Sequence, residues 1–170
     1  MSPMTPMSSS NESRQPDARG RGRELVLAAL CHLEDVLPDE RAAALQMLLA
    51  SPPSGDEVGE TRFAELARDR QARRFAEALL AIVLERWDTI DADITTASKR
   101  WRLERMDRVD RNALRIGAAE LRARPDTPTG VILSEVVRLG STYGNERSAG
   151  FVNGLTASLA AVLRPGESRS

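Results

Sequence analysis

Apolar positions along this chain recur at three- and four-residue steps, the period of a helix with one buried face. From Glu24 onward, Leu25, Ala28, Ala29, Leu30 and Leu33 form a stripe that must stop before Pro38. A second helix is predicted over residues 39–50, with Asp39 as its cap, and "SPPSGDEVGE" (51–60) reads as a loop. A long helical stretch follows over about 61–96, broken at most once. Phe63, Leu66, Phe75, Leu79, Leu80, Ile82, Val83, Trp87, Ile90 and Ile94 supply its buried face. "ASKRWRLERM" (97–106) connects to a helix over roughly 103–123, carried by Met106, Val109, Ala113, Ile116 and Leu121.

The punctuation of the C-terminal third is equally readable. Thr127 is placed to cap a helix whose first residue is Pro128, where a missing N–H does no harm, and "TGVILSEVVRLG" then runs to Gly140. "STYGNERS" is a turn, with Asn145 or Ser148 as the cap of a last helix that reaches about Leu163 before Pro165. No segment alternates with period two between hairpin signals, and aromatic residues make up only 4% of the chain. The fold class is therefore all-α, a bundle of about six or seven helices. It is divided into a disordered, basic-ended arm (1–22), a helical domain (23–164) and a short tail (165–170).

Composition narrows the chemistry. The 170 residues carry a net charge of −1, so any attraction to nucleic acid must come from local clusters. Cys31 is the single cysteine and His32 the single histidine. Neither a disulfide, nor a cysteine-rich zinc site, nor a histidine-based triad can be built from them. As neighbours on a helix they point about 100° apart, a poor geometry for a nucleophile and its base. Glu85, Asp88, Asp91 and Asp93 read as a solvated acidic face. No apolar run approaches the roughly 20 residues that span a bilayer, and the N-terminus lacks the apolar core of a secretory signal. These features predict a cytoplasmic, non-enzymatic protein with neither cofactor nor metal.

Two clusters of cations remain. The first is Arg19, Arg21 and Arg23, spaced by glycines. Read as a mobile arm, it suits either an RNA backbone or a solubilising tail. The second runs from Lys99 through Arg100, Arg102, Arg105, Arg108 and Arg111 to Arg115, interleaved with Glu104, Asp107 and Asp110. Asp107 and Arg111 are four apart, so much of this stretch is expected to be an exposed face laced with ion pairs.

Four segments together carry a resemblance: "RGRELVLAAL", "FAEALLAIVLERWDTIDADI", "WRLERMDRVDRNALRIGAAEL" and "PTGVILSEVVRLGSTYGNERSAGFVNG". In order and spacing they resemble the NusB family, over about residues 23–164. The resemblance implies an all-helical fold of two small bundles. It also implies binding of boxA-type RNA together with NusE, a small-subunit ribosomal protein, within an RNA polymerase antitermination complex that sustains ribosomal RNA transcription. By the same resemblance Arg19, Arg21 and Arg23 are RNA-binding residues and Asp110 contacts NusE. Phe151, at the start of the "FVNG" helix, lies beside RNA and partner. Its ring can stack on an unpaired base, fill a partner pocket or belong to the core. The helix-weakening Asn153-Gly154 is expected to be architectural, with Gly154 allowing close packing and Asn153 tied to a neighbouring loop. The alternative is a divergent paralogue acting as a protein-only interaction module or homodimer.

Overall fold

A computed structural model describes residues 16–53 and 58–167. The expectations for residues 1–15, for 54–57 and for the last three residues lie outside the described residues. Eight α-helices are present among them: α1 (Ala18–Leu33), α2 (Arg41–Ala50), α3 (Val58–Arg68), α4 (Arg70–Glu85), α5 (Trp87–Ser98), α6 (Arg108–Ala123), α7 (Thr129–Tyr143) and α8 (Ser148–Leu163). Single 3-10 turns at Pro38–Glu40 and Leu103–Arg105 lead into α2 and toward α6. There is no strand among the described residues.

Helices α1–α4 form one half and α5–α8 the other, and α6 is the element they share. It packs against α1 and α4 on one side and α5, α7 and α8 on the other. A helix enclosed in this way must be buried nearly all round. From Asn112 to Leu121 every residue of α6 is buried, small ones (Ala113, Gly117, Ala118, Ala119) alternating with Leu114 and Ile116. Helix α4 shows the simpler one-faced pattern, burying Ala72, Ala76, Leu79, Leu80 and Val83 at helical spacing.

Several expectations change. The stretch 61–96 is three helices, because Asp69 leaves the helical conformation to cap α4, accepting from the N–H groups of Gln71 and Ala72 at 3.1 and 3.2 Å. A second interruption falls at Arg86. Asp39 sits within the 3-10 turn, and α2 has no side-chain cap. Pro128 precedes the first residue of α7 instead of being that residue, and α7 continues past Gly140 to Tyr143.

The largest change concerns the arm. Helix α1 begins at Ala18, capped by Asp17, whose carboxylate accepts from the Gly20 N–H at 2.8 Å. Residues 18–22 are therefore helical. The glycines serve close approach, not mobility: a Cβ at Gly22 would lie 2.7 Å from the Phe75 ring and 2.9 Å from the Ala72 carbonyl oxygen of α4.

Candidate nucleic-acid interface

The three α1 arginines have three different environments. Arg19 is exposed and makes no ion pair among the described residues. Arg21 is half-buried, its guanidinium donating to Asp69 at 2.7 Å and to the Pro16 carbonyl at 2.7 Å. Arg23 is only 2% exposed and grips Glu120 of α6 with two parallel bonds of 2.8 Å. Glu135 of α7 lies 3.4 Å away, and the Phe75 ring centroid is 5.1 Å from the guanidinium carbon. Arg23 thus ties α1 to α4, α6 and α7, and no phosphate can reach it without breaking that pair.

The second basic stretch divides at Met106. Arg111 donates to both oxygens of Glu34 at the end of α1, at 2.6 and 2.8 Å. Arg115 donates to Glu34 at 2.9 Å and to both oxygens of Asp91 at 2.8 and 3.1 Å. Arg108 donates to Asp35 at 2.6 Å and to the Cys31 carbonyl at 2.7 Å. These pairs cross between helices, and the side chains of Glu34 and Arg115 are buried. The expected Asp107–Arg111 pair along the helix surface is absent, as Asp107 instead accepts from the Asn145 amide. Burial pulls the Glu34 pKa up, but the hydrogen bonds and charges of Arg111 and Arg115 outweigh it and hold Glu34 below the usual carboxylate range. The acidic face divides: Asp91 serves Arg115 and Asp93 accepts from Arg122 at 2.8 Å, while Glu85 and Asp88 stay exposed.

Upstream of Met106 the cations are free. Lys99, Arg100, Arg102 and Arg105 are exposed and make no ion pair among the described residues. Their loop has a defined shape. Lys99 is the one non-glycine described residue with positive φ, at 45°, a conformation that a side chain penalises. The buried Ser98 hydroxyl donates to the Trp101 carbonyl and closes the turn. Leu103 packs against the core and Met106 is buried in it, so the loop is pinned downstream. Trp101 emerges 58% exposed, edge-to-face on Phe151, with ring centroids 5.9 Å apart and planes at 89°.

Phe151 is half-buried in the first turns of α8, touching the core on one side and Trp101 on the other. Its position depends on the preceding turn. A Cβ at Gly144 would stand 2.6 Å from the Gly140 oxygen, so only glycine brings the chain round so tightly. The Ser148 hydroxyl accepts from the Asn145 N–H at 2.9 Å, and the Asn145 side-chain oxygen accepts from the Arg147 N–H at 2.8 Å. Asp110 lies beneath this turn. It is 5% exposed, and its Oδ1 has no hydrogen-bond partner. Burial raises its pKa, the nearby Ser148 hydroxyl opposes the rise, and the Asp107 charge adds to it. The carboxylate expected to meet a partner directly is thus turned inward, against the start of α8.

Asn153 and Gly154 are exposed, and a Cβ built on Gly154 meets nothing within 4 Å. The expected role of Gly154 in close packing is therefore corrected. The space it keeps open faces outward, together with Gly150, where a Cβ also meets nothing.

Helix α7 connects α1 to the start of α8. Arg138 donates to the Gly20 carbonyl of α1 at 3.0 Å, and the Tyr143 hydroxyl bonds to Glu24. Residues 141–147 are then exposed throughout, as far as α8 and Phe151. Arg19, Arg21 and Phe151 accordingly sit on consecutive packed elements. Trp101 is the functional candidate that sequence reasoning overlooked. The available signal was a tryptophan set between arginines just past a helix end, in a chain with two tryptophans.

Nothing around Cys31 and His32 resembles a reactive pair. Burial and the Glu34 charge push the Cys31 thiol up to about 11, and His32 stacks edge-on against Phe63. Among the described residues no acidic, histidine or cysteine cluster could hold a metal ion. No helix there is long and apolar enough to cross a membrane.

Comparison with known proteins agrees with the family expectation. Residues 38–161 match the model of the NusB family. A transcription antitermination protein NusB from Sorangium cellulosum is 46% identical over 126 residues, covering 72% of this chain and 90% of that protein. One from Myxococcus xanthus is 40% identical over 146 residues, covering 86% and 96%. Among solved structures, the antitermination factors NusB and NusE in complex with dsRNA include a chain of the same fold. Its TM-score is 0.62 at 21% identity, over 85% of this chain and 97% of that one.

Proposed function

The chain belongs to the NusB family, and we propose that it is a transcription antitermination factor that works by binding, without a reaction of its own. In this reading it takes boxA-type RNA together with NusE, in the cytoplasm, and joins the RNA polymerase complex that transcribes ribosomal RNA. The observation that carries the reading is the placement of Arg19, Arg21 and Phe151 on helices that α7 packs together. Forked cations suit phosphates and a half-exposed ring suits a base. The naming of the relatives as antitermination proteins supports the same reading, as does the occurrence of this fold beside NusE and RNA.

Residue roles within the proposal follow the environments. Arg19 and Arg21 are assigned to RNA and Phe151 to RNA and partner. Arg23, carried in the same motif, supports them by fixing α1. Asp110 serves the partner face from below, by seating the turn from which α8 starts. The test is titration of boxA-type RNA, with and without NusE, at two salt concentrations. Binding that tightens with NusE and weakens with salt is expected. NusE binding with no RNA binding at either salt would instead indicate a protein-only module.

A further inference from the structure

We propose that the loop 99–105 is a separate nucleobase subsite: Trp101, braced by Phe151, stacks on an unpaired base, and Lys99, Arg100, Arg102 and Arg105 hold the flanking phosphates. This inference rests on the RNA reading above and extends it to residues outside the α1 arginines and Phe151.

Three independent features converge there. The first is exposure: Trp101 leaves more than half its surface in water although the core lies within reach of its neighbours Leu103 and Met106. The second is the backbone: Lys99 holds a positive φ of 45°, which a residue with a side chain rarely adopts, and the Ser98 bond to the Trp101 carbonyl fixes the turn that results. Backbone strain of this kind persists where surroundings over-determine it, and it collects at ligand clamps. The third is charge: four cations that make no ion pair among the described residues flank the ring, against Glu104 within the loop. A few residues downstream every arginine of α6's first turns is paired with an acid. An apolar protein segment would use the ring and leave those cations idle. A single strand uses both, because base faces stack on aromatic rings while the backbone needs neutralising. In a duplex the base faces are already covered by their neighbours, so the subsite requires an unpaired nucleotide.

The test uses the full chain, a short single-stranded boxA-type RNA, and the same strand annealed to its complement. Trp101→Ala is expected to weaken single-strand binding by about 5- to 150-fold, the range for loss of one base–aromatic stack, while Trp101→Phe recovers most of it. In the wild-type protein, RNA is expected to shield Trp101 from iodide quenching, whereas the buried Trp87 supplies a constant background. Wild-type binding that Trp101→Ala leaves unchanged would overturn the subsite while the RNA reading stands. Failure of the wild type to bind either RNA would overturn both. Equal affinity for duplex and single strand would overturn stacking. Loss of NusE binding by Trp101→Ala, with RNA affinity intact, would make this a protein face and overturn the proposal. Should Trp101→Ala lose helicity, the wild-type quenching alone decides, and an unshielded Trp101 in the RNA complex overturns it.

Discussion

Two arginine-rich stretches, the start of α1 and the loop before α6, look alike as sequence and differ as surfaces. At α1 the charge is progressively withdrawn. Arg19 makes no ion pair among the described residues, Arg21 is held by Asp69, and Arg23 is enclosed by Glu120 and Glu135. In the loop, Lys99, Arg100, Arg102 and Arg105 make no ion pair among the described residues, and neutralisation begins at Arg108. The difference teaches that available charge is set by acids distant in sequence. Glu120 lies 97 residues from Arg23, and Glu34 lies 77 from Arg111. A count of cations along the chain measures something else.

The strongest way to break this comparison is to remove an acid from the enclosed side. Glu120→Ala leaves Arg23 charged and buried with only the longer contact to Glu135, at 3.4 Å, and should lower unfolding free energy by up to about 3–5 kcal/mol. Urea denaturation checks it. A loss under about 1 kcal/mol would mean that water reaches Arg23 and that the pair is not closed.

Glu34 is the next largest case. Its folded pKa lies below its ordinary value of 4.5, so its contribution is present above the ordinary value and disappears as pH falls through the folded one. Glu34→Gln should cost about 1.5–3 kcal/mol near neutral pH, the range for hydrogen bonds to charged groups, and flatten the acid limb of the stability curve. It should also steepen the salt dependence of RNA binding, because Arg108 and Arg111 lose a neutralising acid. Parallel acid limbs for mutant and wild type would show that Glu34 is not held down by these arginines.

Two glycines sharpen the contrast between enclosed and open surfaces. Gly22→Ala forces a Cβ against Phe75 and the Ala72 carbonyl and should cost about 1–3 kcal/mol. Gly154→Ala meets open space and should gain up to about 1 kcal/mol from helix propensity. Thermal melts of the two variants should shift in opposite directions. A stabilised Gly22→Ala would mean that α1 and α4 do not pack closely there.

The smallest effect on stability belongs to Arg19. Arg19→Ala should change folding by less than about 0.5 kcal/mol, yet reduce the slope of log RNA affinity against log salt by roughly 0.7 if it meets one phosphate. An unchanged slope would remove Arg19 from the RNA site.

What the sequence disclosed was mostly local. Helical periodicity, Pro38, Pro165 and the turn before Ser148 placed the end of α1 and most of α2, α6, α7 and α8, because these signals act over a few residues, while the breaks at Asp69 and Arg86 and the helical start at Ala18 were not read. The family motifs disclosed the fold's identity. The site was only partly legible. Arg23 looked mobile because its glycine neighbours look mobile, and the Phe75 ring that requires Gly22 lies 53 positions on. Asp110 looked exposed because it sits among arginines, whereas the start of α8 covers it. Trp101 went unread because exposure is a property of the packed molecule. Gly154 was misread in the opposite sense, since a helix-weakening residue suggests packing until the space around it proves open.

The bond between Arg23 and Glu120 also orders events in time. A chain emerging from the ribosome delivers α1 first and α6 late, and α1 has no partner for Arg23 until about 120 residues have been made. Until then that guanidinium lacks its acid, and the first turns of α1 are held only by α4, through Gly22 against Phe75 and Arg21 on Asp69. Closing so long a loop is slow relative to forming a helix. The face bearing Arg19 and Arg21 is therefore expected to be fully anchored only once α6 has been made. Fragments that stop short of Glu120 would carry the same arginines on a helix that lacks its tie to α6, and are expected to compete poorly for ligand.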